Sequence, residues 1–122
     1  MTISEVSKKF DVSEDTLRYY EKIGLVTAHR RASGIRDYQE DDIKRLEFVK
    51  CMRNAGMEIE PLQRYLKLIE QGNSTIAERK AILIKERENL IAKKEAIETS
   101  LKRLDYKIAN YEKIFGTKEE KQ

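Results

Sequence analysis

The sequence predicts an all-α dominated fold: short helices interrupted by one small β-hairpin, then a single long C-terminal helix. Three observations carry this expectation. Charged residues make up 39% of the 122 and apolar residues another 39%, more charge and fewer core formers than an ordinary globular chain contains. Pro occurs once and Gly five times, so helices can run long. Apolar residues recur at helical spacing, first in short bursts and finally every seven residues.

The first start signal is Thr2-Ile3-Ser4-Glu5, a capping box in which Thr2 and Glu5 satisfy each other's orphan amides. Ile3, Val6 and Phe10 follow at helical spacing. Asp11-Val12-Ser13 breaks the run, and Ser13 with Glu14 and Asp15 opens a second helix at its positive end. That helix carries Leu17, Tyr20 and Ile23 inward and stops at Gly24. Leu25-Val26-Thr27 then reads as extended, Ala32-Ser33-Gly34 as a turn, and Ile35-Arg36-Asp37-Tyr38 as the returning strand. His29, Arg30, Arg31 and Arg36 make this hairpin basic, opposed only by Asp37.

A third helix starts at Glu40-Asp41-Asp42, carries Ile43, Leu46, Val49 and Met52 as its stripe, and closes at Gly56. Pro61 fits the first turn of a fourth helix, where its missing amide would be unpaired. Leu62, Tyr65, Leu66 and Ile69 form that helix's expected buried face, and Gly72-Asn73 ends it. Thr75-Ile76-Ala77-Glu78 is a further capping box, and no Pro or Gly follows before Ile114. Ile76, Leu83, Leu90, Ile97, Leu104 and Tyr111 recur every seven residues, with Leu101, Ile108 and Phe115 at the alternate seam position of the C-terminal half. The matching N-terminal positions are Lys80, Arg87 and Lys94, so that half packs against something other than a plain two-stranded partner. A helix of about forty residues would be roughly 60 Å long, and a lone copy would leave its seam in water. A dimer, parallel or antiparallel, is the economical solution. The expected division is 1–72 for the head, 73–115 for the dimerisation helix and 116–122 for a flexible tail.

Several functions drop out. No apolar stretch approaches the roughly 18–20 residues of a membrane span, and the first residues lack the basic and apolar regions of a signal peptide. Cys51 is the sole cysteine, which suits a reducing cytoplasm. With Cys51 and His29 as the only soft ligands, no zinc cluster forms within one chain, and no metal or other cofactor is expected. There is no paired acid and base, no nucleophile–base set and no phosphate-binding glycine loop, so nothing supports an enzyme.

The two short helices, their tight turn and the basic hairpin form a helix-turn-helix arrangement, whose second helix enters a major groove while the first crosses the backbone. Thr16, Arg18, Tyr19 and Lys22 lie off that helix's core stripe. Arg18 can present two parallel hydrogen bonds to a guanine edge or clamp a phosphate, or it can pair with Glu14 or Glu21 on its own helix. Tyr19 can bond phosphate with its ring on the sugar. Tyr20 fits a core-edge aromatic by pattern. His29, Arg30, Arg31 and Arg36 would reach a neighbouring groove or backbone as a wing.

Leu17-Arg18-Tyr19-Tyr20-Glu21-Lys22-Ile23-Gly24-Leu25 resembles the signature of the MerR family of transcription regulators. Ser33-Gly34-Ile35-Arg36-Asp37-Tyr38 does too, with Asp42-Ile43 and Arg45-Leu46 after it, and the resemblance covers essentially the whole chain. It implies a winged helix-turn-helix DNA-binding domain and a homodimer joined by an antiparallel coiled coil, seated on double-stranded promoter DNA with a pseudo-palindromic site. Arg18 and Tyr19 match recognition-helix positions, Arg36 and Tyr38 match the wing, and Tyr20 occupies a position whose role is phosphate contact, packing or both. The resemblance further implies that the dimer bends and untwists an overlong promoter spacer, acting on RNA polymerase through shared DNA. Such deformation costs several kcal/mol, which phosphate contacts must offset.

Metal-sensing relatives place cysteines near the end of the long helix, where this sequence has Phe115-Gly116-Thr117-Lys118; drug-sensing relatives append a domain for which no residues remain. Leu46 to Gly56, with Cys51 inside it, resembles the aldehyde- and thiol-stress-responsive branch. There Cys51 is either a sensor thiol, its thiolate favoured by Lys50 and Arg53, or a small buried hydrophobe beside Phe48 and Met52. Two other readings use the same features: a coiled-coil adaptor whose head binds protein, and a DNA-bending protein without an effector.

Overall fold

The computed structural model describes residues 1–116; the tail expected at 116–122 lies, beyond Gly116, outside the described residues. Helix α1 spans Ile3–Phe10 and opens on the Thr2–Glu5 capping box, with the Glu5 amide donating to Thr2 Oγ1 (3.2 Å) and the Thr2 amide to Glu5 Oε1 (3.0 Å). It ends at Asp11 in the left-handed region (φ 52°), a conformation that a short polar side chain tolerates. Helix α2 spans Glu14–Lys22, capped by Ser13 Oγ, which accepts from the Thr16 amide (3.0 Å). Gly24, at φ 80°, turns the chain out of it.

The hairpin differs from expectation at its first strand. Strand β1 is His29–Arg30, not Leu25–Thr27, and it pairs antiparallel with β2, Arg36–Asp37, in the register His29↔Asp37 and Arg30↔Arg36. Leu25 and Val26 are adjacent, yet both are buried in the core, which an alternating half-buried strand does not allow. Their amides turn back to the Tyr20 carbonyl (2.8 and 3.4 Å), making them the landing of α2 rather than the start of the hairpin.

Helix α3 spans Glu40–Asn54 and α4 spans Ile59–Glu70, with Pro61 in the first turn of α4. The rings of Phe48 and Tyr65 pack α3 on α4, centroids 5.5 Å apart. Leu62 and Leu66 are buried as expected, but Ile69 is 40% exposed, because it sits in the last turn of α4, past the edge of the core. A short 3-10 turn, Asn73–Thr75, leads into helix α5, Ile76–Ala109. Buried Thr75 aims its hydroxyl at the Leu68 and Gly72 carbonyls (2.7 and 2.8 Å), closing the end of α4 where a capping box for α5 was expected.

The core joins Val6, Leu17, Leu25, Val26, Tyr38, Leu46, Val49, Met57, Leu62, Leu66 and Ile82. Ile82 lies off the heptad seam, so the proximal part of α5 turns a different face to the head, in keeping with its polar alternate positions. The described residues form two compact units, Met1–Glu86 and a second that starts at Arg87. In the second, the α-helix stops at Ala109 and Glu112–Gly116 continues with π spacing, so the seven-residue repeat does not carry through Tyr111 and Phe115 as expected. At Asn110 the Tyr106 carbonyl accepts from both the backbone amide (3.1 Å) and the side-chain amide (2.8 Å). Tyr111 packs on Phe115 instead (4.9 Å). Among the described residues no helix is long and apolar enough to cross a membrane.

Candidate nucleic-acid interface

Helix α2 and the hairpin present most of the basic and aromatic side chains singled out from the sequence. Arg18 and Tyr19 project from α2 into solvent. Arg18 is braced in its own helix by Glu14 Oε1 and Asp15 Oδ1, each at 3.3 Å; exposed pairs of this kind are worth little, so the guanidinium is easily redirected to a ligand. Thr16 is half-buried, and its hydroxyl accepts from Ser13 Oγ (2.8 Å) as part of the helix cap. Tyr20 is half-buried against the core and lies 6.2 Å from the Tyr19 ring. Lys22 is exposed at the end of α2, beside an open cleft shared with Glu60, Arg64, Lys67 and Glu70.

Arg30 and Arg36 converge on Glu21 of α2. Arg30 Nη2 donates to Oε2 (2.6 Å) and Arg36 Nε donates to Oε1 (2.9 Å). Arg31 is exposed at the hairpin tip, 3.7 Å from Asp37. Tyr38 is a correction: it is only 3% exposed, and its hydroxyl is buried without a partner among the described residues. A side chain in the core cannot touch a duplex, so Tyr38 supports the wing from beneath. Burial also pushes its pKa up.

The wing is anchored through Asp42, buried at the start of α3. Its Oδ1 accepts from the Thr27 hydroxyl (2.6 Å), and its Oδ2 faces the Gln39 amide (2.9 Å), the His29 amide (3.2 Å) and His29 Nδ1 (2.7 Å). Burial would raise the Asp42 pKa, but the bonds from Thr27, His29 and Gln39 outweigh it and bring it to about 2. The same carboxylate, by hydrogen bond and charge, raises the pKa of His29. His29, Asp41 and Asp42 bring their polar atoms within 4.8 Å of one another. Both Asp42 oxygens are already taken by protein donors, which makes this a structural knot.

Positioning residues that sequence reading missed tie α2 to the later helices. Arg45 donates to the carbonyls of Leu25 (3.0 Å) and Gly24 (2.9 Å), and Gln63 to that of Ile23 (2.8 Å). These side chains satisfy carbonyls that the end of α2 leaves open. Lys50 Nζ donates to the Phe10 carbonyl at the helix-turn-helix corner, and Arg53 Nη1 to the Met57 carbonyl (2.8 Å). Both cations expected to favour a thiolate are thus engaged elsewhere, and Cys51 itself is exposed on α3.

Of the seam residues, Ile76, Ile97, Leu101, Leu104, Ile108 and Tyr111 are exposed, while Leu83 and Leu90 are half-buried.

Residues 1–69 match the family described as MerR HTH family regulatory protein, and residues 43–106 match the one described as MerR, DNA binding. The HTH-type transcriptional regulator AdhR of Bacillus subtilis (strain 168) is 52% identical over 92 residues, covering 75% of this chain and 66% of that protein, just under two thirds of its length. A MerR family transcriptional regulator from Listeria monocytogenes superposes with a TM-score of 0.88 at 40% identity, over 98% of this chain and 92% of that one. HiNmlR, a MerR family regulator lacking the sensor domain and bound to promoter DNA, superposes at 0.84 with 29% identity, over 94% of each chain. The chain belongs to the MerR family of helix-turn-helix regulatory proteins.

Proposed function

We propose that the chain regulates transcription as a homodimer, each head gripping one half of a pseudo-palindromic promoter site. The observation that carries this is the shared placement of Arg18 and Tyr19 on α2 and of Arg30, Arg31 and Arg36 on the hairpin that Glu21 ties to it. Arg18 reads a base edge in the major groove; Tyr19, Lys22, His29 and the wing arginines contact phosphate, with Thr16 and Tyr20 at the margin of that contact. Residues 1–72 are the reading head and 73–115 the dimerisation helix. The dimer works in the cytoplasm and acts on RNA polymerase through the promoter both occupy, by bending and untwisting the spacer.

Cys51 is the candidate sensor. Its exposure on α3 leaves the sulfur open to an aldehyde: the S–C bond forms at the carbonyl carbon, and the thiol proton passes to the carbonyl oxygen, giving a hemithioacetal. The adduct would act on α3, whose side chains secure both the wing and the helix-turn-helix corner.

Affinity of the full chain for a promoter duplex, measured across a salt series, is expected to fall steeply, with a logarithmic slope of about −0.9 per phosphate neutralised. Arg18→Ala should lose about 1–3 kcal/mol of discrimination while remaining a dimer; unchanged promoter preference would remove α2 as the reading element. Cys51→Ser should abolish the aldehyde response of a reporter while DNA binding persists, and a surviving response would rule the thiol out.

A further inference from the structure

We propose that Glu21 is a positioning residue for DNA recognition, locking the two wing arginines to α2 so that Arg30 and Arg36 meet a duplex preset relative to the helix that carries Arg18. The inference rests on the DNA-binding reading above and extends it to a residue of opposite charge to the arginines it holds.

The hairpin register creates the need for it. Arg30 and Arg36 are direct cross-strand partners, and like charges placed opposite each other destabilise a ladder. A sheet of two residues per strand is itself marginal in water. Glu21 resolves both problems from outside the hairpin, because each of its oxygens takes one arginine. The carboxylate is only 25% exposed, and Arg36 is comparably enclosed, unlike an ordinary solvated surface pair.

The clamp leaves donors to spare. Arg36 engages Glu21 through Nε, so neither of its terminal nitrogens has an intramolecular partner among the described residues; Arg30 uses Nη2 and keeps Nη1 and Nε. Both guanidiniums are therefore oriented without being consumed. A carboxylate beside a polyanion lowers raw affinity by repulsion. Its benefit lies in order: two rotamer-rich side chains are fixed before binding, so a correctly spaced duplex meets them without further loss of freedom, while a wrongly spaced one cannot draw them to itself.

The test uses the full dimeric chain, duplexes selected by it from a random pool, and scrambled duplexes of the same composition, followed by anisotropy across a salt series. Glu21→Gln keeps the shape but loses the charge and one acceptor oxygen. Glu21→Asp keeps the charge but is one methylene too short to reach both arginines. Both variants should lower the selected-to-scrambled affinity ratio by roughly tenfold, with Glu21→Gln binding scrambled duplex at least as tightly as the parent. Circular dichroism melts report folding of each, and either folded variant suffices for the reading. A ratio within about twofold of the parent's overturns the proposal. So does full rescue by Glu21→Asp, which would make neutralisation the device and reach irrelevant. If the parent itself fails to distinguish duplexes, the regulator reading falls first and takes the clamp with it, a result unlike a change confined to the variants.

Discussion

Leu17, Leu46 and Leu62 are fully buried in the head, whereas on the distal half of α5 Ile97 is 61% exposed, Leu101 52%, Leu104 54% and Ile108 71%. Similar residue types at similar helical spacing thus meet opposite fates. In the head, several short helices return on one another and each apolar stripe finds another from the same chain. Among the described residues, none of these four belongs to the core cluster, and the proposed homodimer would cover them with a second copy. The lesson is that periodicity specifies a sticky face, while chain topology decides whether the cover comes from within or from outside.

Breaking the outside cover should have the largest effect. Leu101→Asp combined with Leu104→Asp is expected to yield monomers by sedimentation, with loss of about 10²–10⁴ in promoter affinity as two linked heads become independent. A surviving dimer would show that the exposed seam is not the contact. Breaking the inside network comes next. Asp42→Ala leaves the His29 and Gln39 amides without their acceptor and should cost the head about 3 kcal/mol in urea unfolding. The sign with pH follows from the depressed pKa: Asp42's contribution is present above its unfolded value of 3.8 and is lost as pH falls toward about 2. The parent's advantage over Asp42→Ala should therefore shrink across that acid range.

The smallest effect belongs to His29, which faces Asp42, Asp41 and Asp37. Its hydrogen bond to Asp42 raises its pKa above 6.5, so its charge-dependent contribution is complete below that value and fades as pH climbs through the raised one. Duplex affinity should decline modestly over the same window, and His29→Gln should flatten the profile. An unchanged slope would remove the imidazolium from the interface.

Much of this was legible from local chemistry. Thr2 with Glu5, Ser13, and Gly24 mark helix ends through bonds and backbone angles that involve near neighbours only, so their positions could be read directly. The candidate surface on α2 was legible for the same reason, since Arg18 and Tyr19 fall off the stripe that buries Leu17. What escaped depends on contacts between distant residues. Tyr38 matches the wing by resemblance, yet the chain bends it into the core. Glu21 meets Arg36 across a separation of 15 residues, and Asp42 meets Thr27 across a similar span; no periodicity encodes such pairings. The end of α5 at Ala109 carries no Pro or Gly to mark it.

Helix α3 holds the wing near its beginning, through Asp42, and the helix-turn-helix corner near its other end, through Lys50 and Phe10. One helix therefore tethers both elements. Under the proposed function, a displacement of α3 would carry the wing and the corner together, changing their common stance on the double helix.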